Sequence, residues 1–252
     1  MKIALCISGY FDSGKDESSK GIDGFQYIFK ELLNKFDIDV YIHSWDIKNK
    51  NNIENLYGEW LVDSKFEPQI DFKPLFYKNK LNEYKIHATP FYNVFSQYFS
   101  VQESFRLIKS NNIKYDCVIK GRFDLGRINR SGNSPMAQAI SFIKTGTFLY
   151  PVQCINFNPN LDMSFFYLAK WSEKFFNNEG PADMWFYSSY DNMMNFCDLF
   201  SLLSKDIKKG GEYERWANGN DGGIVNGIKG WKWFLMNKKL WSKKKPLSTK
   251  WK

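Results

Sequence analysis

Residues 90–110 place Phe91, Val94, Phe95, Tyr98, Val101, Phe105 and Ile108 on one side of a 3.6-residue repeat, behind Pro90 in a position where a first-turn proline is tolerated. This predicts a long helix with a continuous apolar stripe, and such a helix must lie against another apolar layer. The runs around it have the other periodicity. Residues 2–8 (KIALCIS), 38–45 (IDVYIHSW) and 115–125 (YDCVIKGRFDL) read as strands, and residues 22–36 repeat at helical spacing through Ile22, Phe25, Phe29, Leu32, Leu33 and Phe36. Strand and helix signals thus alternate over the first 125 residues, which predicts βαβ units and a mainly parallel sheet flanked by helices.

The remaining elements are less regular. Residues 51–62 read as a short helix. Residues 66–72 read as an edge or irregular strand because of Pro68. Residues 127–135 read as a loop, 147–153 as a strand and 189–207 as a helix. The expectation is one α/β domain over residues 1–228 with an irregular C-terminal half, followed by a tail over residues 229–252.

Charge matters through its location. Of the net +8, residues 205–252 contribute 13 Lys/Arg against 4 Asp/Glu, and residues 1–204 contribute 22 against 23. The body is near neutral, which argues against nucleic acid as its partner. Lysines outnumber arginines 30 to 5, so composition bias accounts for part of the excess. From Lys229 onward Trp231, Trp233, Trp241 and Trp251 interleave with nine lysines and no acid. Three readings stay open for that tail: tryptophans packed on the domain with solvated lysines, peripheral membrane contact, and stacking on nucleic acid. Apolar runs fall far short of a membrane span of about 20 residues, and no signal-peptide pattern opens the chain. The expected location is cytoplasmic, or peripheral at the inner membrane face. Cys6, Cys117, Cys154 and Cys197 are far apart and read as reduced thiols, and two histidines make no zinc cluster.

Two stretches carry candidate chemistry. Gly9 to Lys15 spells most of a phosphate-binding loop after a strand, but Asp16 stands where the motif needs a Ser or Thr hydroxyl for Mg²⁺. What survives is a strand ending at Ser8-Gly9 and opening into a polar loop, at the strand end where open α/β sheets bind ligands. In Arg122-Phe123-Asp124, an extended backbone sends Arg122 and Asp124 to one side and Phe123 to the other. Asp124 could ligate a divalent ion and Arg122 could neutralise phosphate, or the two could pair and cap the strand end.

Four stretches together resemble small bacterial and viral glycosyltransferases of the GT-A type, including lipopolysaccharide- and capsule-associated ones. They are KIALCISGY (2–10), DVYIHSWD (39–46), FSQYFSVQESFRLI (95–108) and YDCVIKGRFDL (115–125), so the resemblance covers the chain to about Leu125. It implies a GT-A-like, Rossmann-like fold and a nucleoside-diphosphate sugar donor held by Ser8, Gly9, Tyr10, Asp46, Arg122 and Asp124. It implies Mn²⁺ or Mg²⁺ at Asp124, although RFD stands where many such enzymes have D-x-D and one metal carboxylate is missing. The implied acceptor is a glycan, glycoprotein or lipid-linked glycan. Asp183, in GPADMWF, and Asp221, in GNDGG, are the candidate general bases, each equally readable as a helix cap or turn residue. Two other readings stand beside this one: a P-loop kinase or sulfotransferase-like enzyme, and a non-catalytic nucleic-acid or membrane-binding protein.

Overall fold

A computed structural model of the chain describes residues 1–12, 20–81, 91–126, 128–129, 148–149, 154–169, 180, 183–218 and 227–247. The elements run β1 (Ile3–Gly9), α1 (Lys20–Ile28), β2 (Ile38–Ser44), α2 (Lys50–Tyr57), β3 (Leu61–Phe66), α3 (Lys73–Lys78), α4 (Phe91–Ser110) and β4 (Cys117–Arg122). Then come β5 (Ile128–Asn129), β6 (Phe148–Leu149), β7 (Phe166–Ala169), β8 (Phe186–Ser188), α5 (Tyr190–Met193), α6 (Leu199–Asp206), α7 (Glu212–Asn218), α8 (Gly227–Asn237) and β9 (Lys244–Leu247).

Seven strands form one sheet in the order β3-β2-β1-β4-β8-β7-β9, and β5 and β6 form a separate antiparallel pair. β3, β2, β1 and β4 are mutually parallel, β8 is antiparallel to β4 and β7, and β9 is parallel to β7. The α/β class and mainly parallel sheet expected from the alternation are present, consistent with the GT-A-like architecture implied by the resemblance.

The parity of each strand decides which layer its side chains join. Ala4, Cys6, Tyr41 and Val118 face α4, together with Phe95, Tyr98, Val101, Phe105 and Ile108 of that helix. Ile3, Leu5, Ile7, Val40, Ile42 and Ile119 face the opposite layer, with Ile28, Leu32 and Ile53 of the α1–α2 side. The stripe on α4 therefore does what its spacing predicted, and burying such side chains contributes roughly 1.5–3 kcal/mol each.

Several expectations need correction. Ile22 on α1 and Phe29 just after it are 39% and 38% exposed. Small residues approach the sheet instead: a Cβ on Gly24 would stand 1.6 Å from the carbonyl oxygen of Phe123. The helix then widens into a π turn over Phe29–Leu33, which rephases the face and buries Leu32 and Leu33. The strand expected at 66–72 lies earlier, as β3 at the sheet edge, so the helix expected over 51–62 ends before it. The helix expected over 189–207 is α5, a 3-10 segment (Met194–Asp198) and α6, with Arg106 Nε donating to the Cys197 carbonyl at 3.1 Å. Of the strand expected at 147–153 only β6 is described.

The segment expected as a tail is integral up to residue 247. Trp231 is fully buried and meets Tyr98 edge-on at 5.2 Å and Phe186 at 5.5 Å. Phe234, Leu235 and Leu240 join the same core, and β9 adds a strand to the sheet. Trp251 lies outside the described residues.

Candidate binding and catalytic site

β1 is where the strand order changes direction: β2 and β3 lie on one side of it and β4 on the other. In open α/β sheets the crevice beyond the carboxyl ends of the strands at that point is where ligands bind. The chain puts Ser8-Gly9 and Arg122 there, with Ser8 paired opposite Arg122.

On β4, Lys120 and Arg122 project toward α4. Phe123 turns to the other layer and packs edge-on against Phe11 at 5.6 Å. Arg122 holds two carboxylates. Its Nε and Nη2 donate to the two oxygens of Asp124 at 2.9 and 3.0 Å, and its Nη1 donates to Asp183 Oδ2 at 2.9 Å. These groups are partly open to solvent, with 33% of the Arg122 side chain exposed, 19% of Asp124 and 30% of Asp183. Gln97 on α4 donates to the same Asp183 oxygen, and Lys120 donates to the Asp183 main-chain carbonyl. Lys120 itself is 1% exposed, with its ammonium 5.6 Å from the Phe186 ring and 5.9 Å from that of Trp231.

The charge states follow. Burial by itself raises the Asp183 pKa, but the Arg122 and Lys120 charges and the Gln97 amide outweigh it and hold the carboxyl below its usual value. Burial pulls Lys120 down to about 7; Asp183 and Asp124 oppose that pull and Arg122 adds to it. The expected pairing of Arg122 with Asp124 is present, and Asp183 joins it from 61 residues away.

At the ends of β1 and β2 the polar groups are spent on one another. The Gly9 N–H donates to Ser100 Oγ at 3.1 Å, and the Gly9 carbonyl accepts from Ser44 Oγ at 2.8 Å. Gly9 has φ +115°, which favours glycine, and a Cβ there would meet open space. Asp46 accepts from the Asp12 N–H at 3.0 Å and from Asn49 Nδ2 at 2.9 Å, so its carboxylate secures the loop after β1. Tyr10 is 45% exposed at the rim, its hydroxyl donating to Gln69 Oε1 at 2.7 Å.

The structure thus brings Ser8, Gly9, Arg122, Asp124 and Asp183 to one sheet edge, with Tyr10 and Asp46 beside them. Asp221 and the Gly14-Lys15-Asp16 stretch lie outside the described residues. Both Asp124 oxygens are taken by Arg122, Asp183 Oδ2 is shared by two donors, and among the described residues no three His, Cys, Asp or Glu side chains converge. That donor set does not fit a divalent cation. Sequence reasoning missed Lys120, Gln97, Ser100 and His43. Only Lys120 had a local signal, as a cation inside an apolar strand two residues before Arg122.

No family model matches the chain, and no curated protein matches it. Among solved structures it is similar to mouse xyloside xylosyltransferase 1 in its apo form, at 12% identity over 98% of this chain and 84% of that chain, with a TM-score of 0.40. A likeness of that degree carries no argument about activity.

Proposed function

We propose that the protein is a glycosyltransferase that moves a sugar from a nucleoside-diphosphate sugar to a hydroxyl of a glycan, glycoprotein or lipid-linked glycan. One observation carries this reading: a guanidinium held between two part-exposed carboxylates, where the order of the parallel strands changes direction. A guanidinium at that point is suited to a diphosphate, which it can bind in bidentate fashion. A carboxylate beside it is suited to taking a proton from the acceptor.

In this reading the bond between the anomeric carbon and the diphosphate oxygen breaks, and its electron pair leaves with the nucleoside diphosphate. The acceptor oxygen bonds to the anomeric carbon and its proton passes to Asp183. Arg122 neutralises the departing diphosphate. In turning to the phosphates it leaves Asp183, whose basicity rises because burial then acts on it with less opposition. Donor binding thereby primes the base. The exposed ring of Tyr10 is placed to stack on the nucleotide base, and Ser8 flanks the diphosphate. The divalent cation implied by the resemblance has no fitting donor set among the described residues, so charge neutralisation is assigned to Arg122.

The test is saturation-transfer NMR with UDP-, GDP-, dTDP- and CMP-sugars and with ATP, each with and without Mn²⁺. One sugar nucleotide should bind, and Arg122→Ala should weaken it by roughly ten- to a hundredfold, the worth of charge-assisted hydrogen bonds. Asp183→Asn should spare binding and lower turnover. Binding of ATP alone, abolished by Lys15→Ala, would replace this reading with the P-loop one. Binding of the sugar nucleotide that Arg122→Ala leaves unchanged would remove Arg122 from its role.

A further inference from the structure

A second buried polar assembly lies one helical turn along α4 from Gln97. Ser100 Oγ is 2.7 Å from His43 Nδ1, and His43 Nε2 is 2.9 Å from Glu67 Oε1. Serine, histidine and carboxylate in that order resemble a nucleophile and its base, but Ser100 is 1% exposed and His43 fully buried, so no substrate reaches either.

The proton positions follow from the partners. An ionised carboxylate only accepts, so Nε2 carries the hydrogen toward Glu67. Nδ1 is then bare and accepts the Ser100 O–H. The Ser100 oxygen keeps its lone pairs, and one of them takes the Gly9 N–H. Every group from Glu67 to Gly9 has its direction set by the one before. The line crosses from the residue after β3 through β2 and α4 to the end of β1, between residues 24, 57 and 91 positions apart in sequence.

We propose that Ser100 and His43 are positioning residues, a directed tether that fixes Gly9 and the loop after β1, and that the tether loosens when His43 takes a second proton. This rests on the donor-site reading above for what the loop binds. A doubly protonated ring presents N–H to Ser100 Oγ as well. Ser100 then receives two donors, and its own hydrogen has only the His43 carbonyl, at the long distance of 3.4 Å. The bond to the Gly9 N–H weakens.

The groups facing the ring are Glu67 and Lys65 from the β3 side, Ser100 and Glu103 from α4, and the rings of Trp45 and Phe99. Burial lowers the His43 pKa; Glu67 and Glu103 oppose that and Lys65 supports it, leaving the net shift downward. The ring is therefore neutral at pH 7. The tether loosens only below the ordinary histidine value of about 6.5.

The test uses the full chain labelled with ¹⁵N. At pH 7.5 the Gly9 amide should exchange with solvent about tenfold faster in Ser100→Ala than in wild type, the scale of one lost hydrogen bond, with Ser100→Thr restoring protection. In wild type the Gly9 amide shift should follow the His43 ring titration, a measurement that needs no variant to fold. Affinity for the sugar nucleotide found in the screen should fall more steeply below pH 6.5 in wild type than in Ser100→Ala. Equal Gly9 protection in wild type and Ser100→Ala, or a Gly9 shift indifferent to His43 titration, would overturn the tether. Equal pH slopes of affinity would overturn its role in binding. Wild type that binds none of the sugar nucleotides would sink the donor-site reading alone, because the exchange result judges the tether without any ligand.

Discussion

Lys120 sits in an environment far from what a lysine prefers. A lysine 1% exposed, between two aromatic rings and beside a guanidinium, has its pKa drawn down to about 7. The unfolded chain binds the same proton with a pKa near 10.4. Between those values the unfolded state holds a proton that the folded state sheds, so this residue makes stability rise with pH across the window. Buried Cys6 and Cys117, whose thiols burial pushes up, act in the opposite sense at alkaline pH, so the lysine must be isolated by difference. Unfolding free energies from urea titrations of wild type and Lys120→Met at pH 7, 8 and 9 should diverge by roughly 2 kcal/mol over the range in favour of wild type, the scale of a single proton. Parallel curves would mean that Lys120 is not depressed. Asp183 gives the same sign at acidic pH: with its pKa held down, its share of stability is present above the ordinary carboxylate value and is lost as pH falls through the folded one.

At the scale of elements, α1 and the turn after β4 determine where Arg122 and Asp124 sit. The closest approach is Gly24 against the carbonyl of Phe123, the residue between them. Gly24→Ala puts a methyl into backbone that has no side chain to move aside. The expected cost is about 1–3 kcal/mol by overpacking, read as a lower urea midpoint. Sugar-nucleotide affinity should fall with it, because the turn carries the site. Unchanged stability would mean that α1 sits further from the sheet. The pattern over residues 22–36 revealed a helix there and placed Phe25, Leu32, Leu33 and Phe36 against the core, but misassigned Ile22 and Phe29. Glycine carries no hydrophobic signal, and the π turn over Phe29–Leu33 shifts the phase partway along. For α4, where Val94, Phe95, Tyr98, Val101, Phe105 and Ile108 keep one phase and are all buried, pattern and structure agree.

At the scale of the whole molecule, the basic C-terminal stretch is structural through residue 247. Truncation after residue 228 removes Trp231, Phe234, Leu235 and Leu240 from the core, and loss of one large aromatic alone costs about 3–5 kcal/mol. The truncated chain should show no cooperative thermal transition; one within a few degrees of wild type would contradict the packing. Lys244 pairs with Phe166 at the level of Val118, near the start of β4, whereas Arg122 stands at that strand's other end. Lys232 and Lys244 also lie over the Trp241 ring, so part of the lysine–tryptophan alternation is internal cation–π packing. No helix among the described residues is long and apolar enough to cross a membrane.

By itself the sequence determined what depends on periodicity: the parallel strands, the stripe on α4, and the strand that presents Arg122. These are local, because successive side chains on one element are related by a fixed rotation. β4 stops at Arg122, short of the strand expected to 125, and a turn rather than strand alternation sets Asp124 beside it. Tertiary structure alone decided what requires two distant segments to meet. Asp183 against Arg122, Ser100 against Gly9, and Trp231 against Lys120 are contacts across 61, 91 and 111 positions. No local pattern encodes them, since each depends on the order in which the strands assemble and on how close a glycine lets a helix approach.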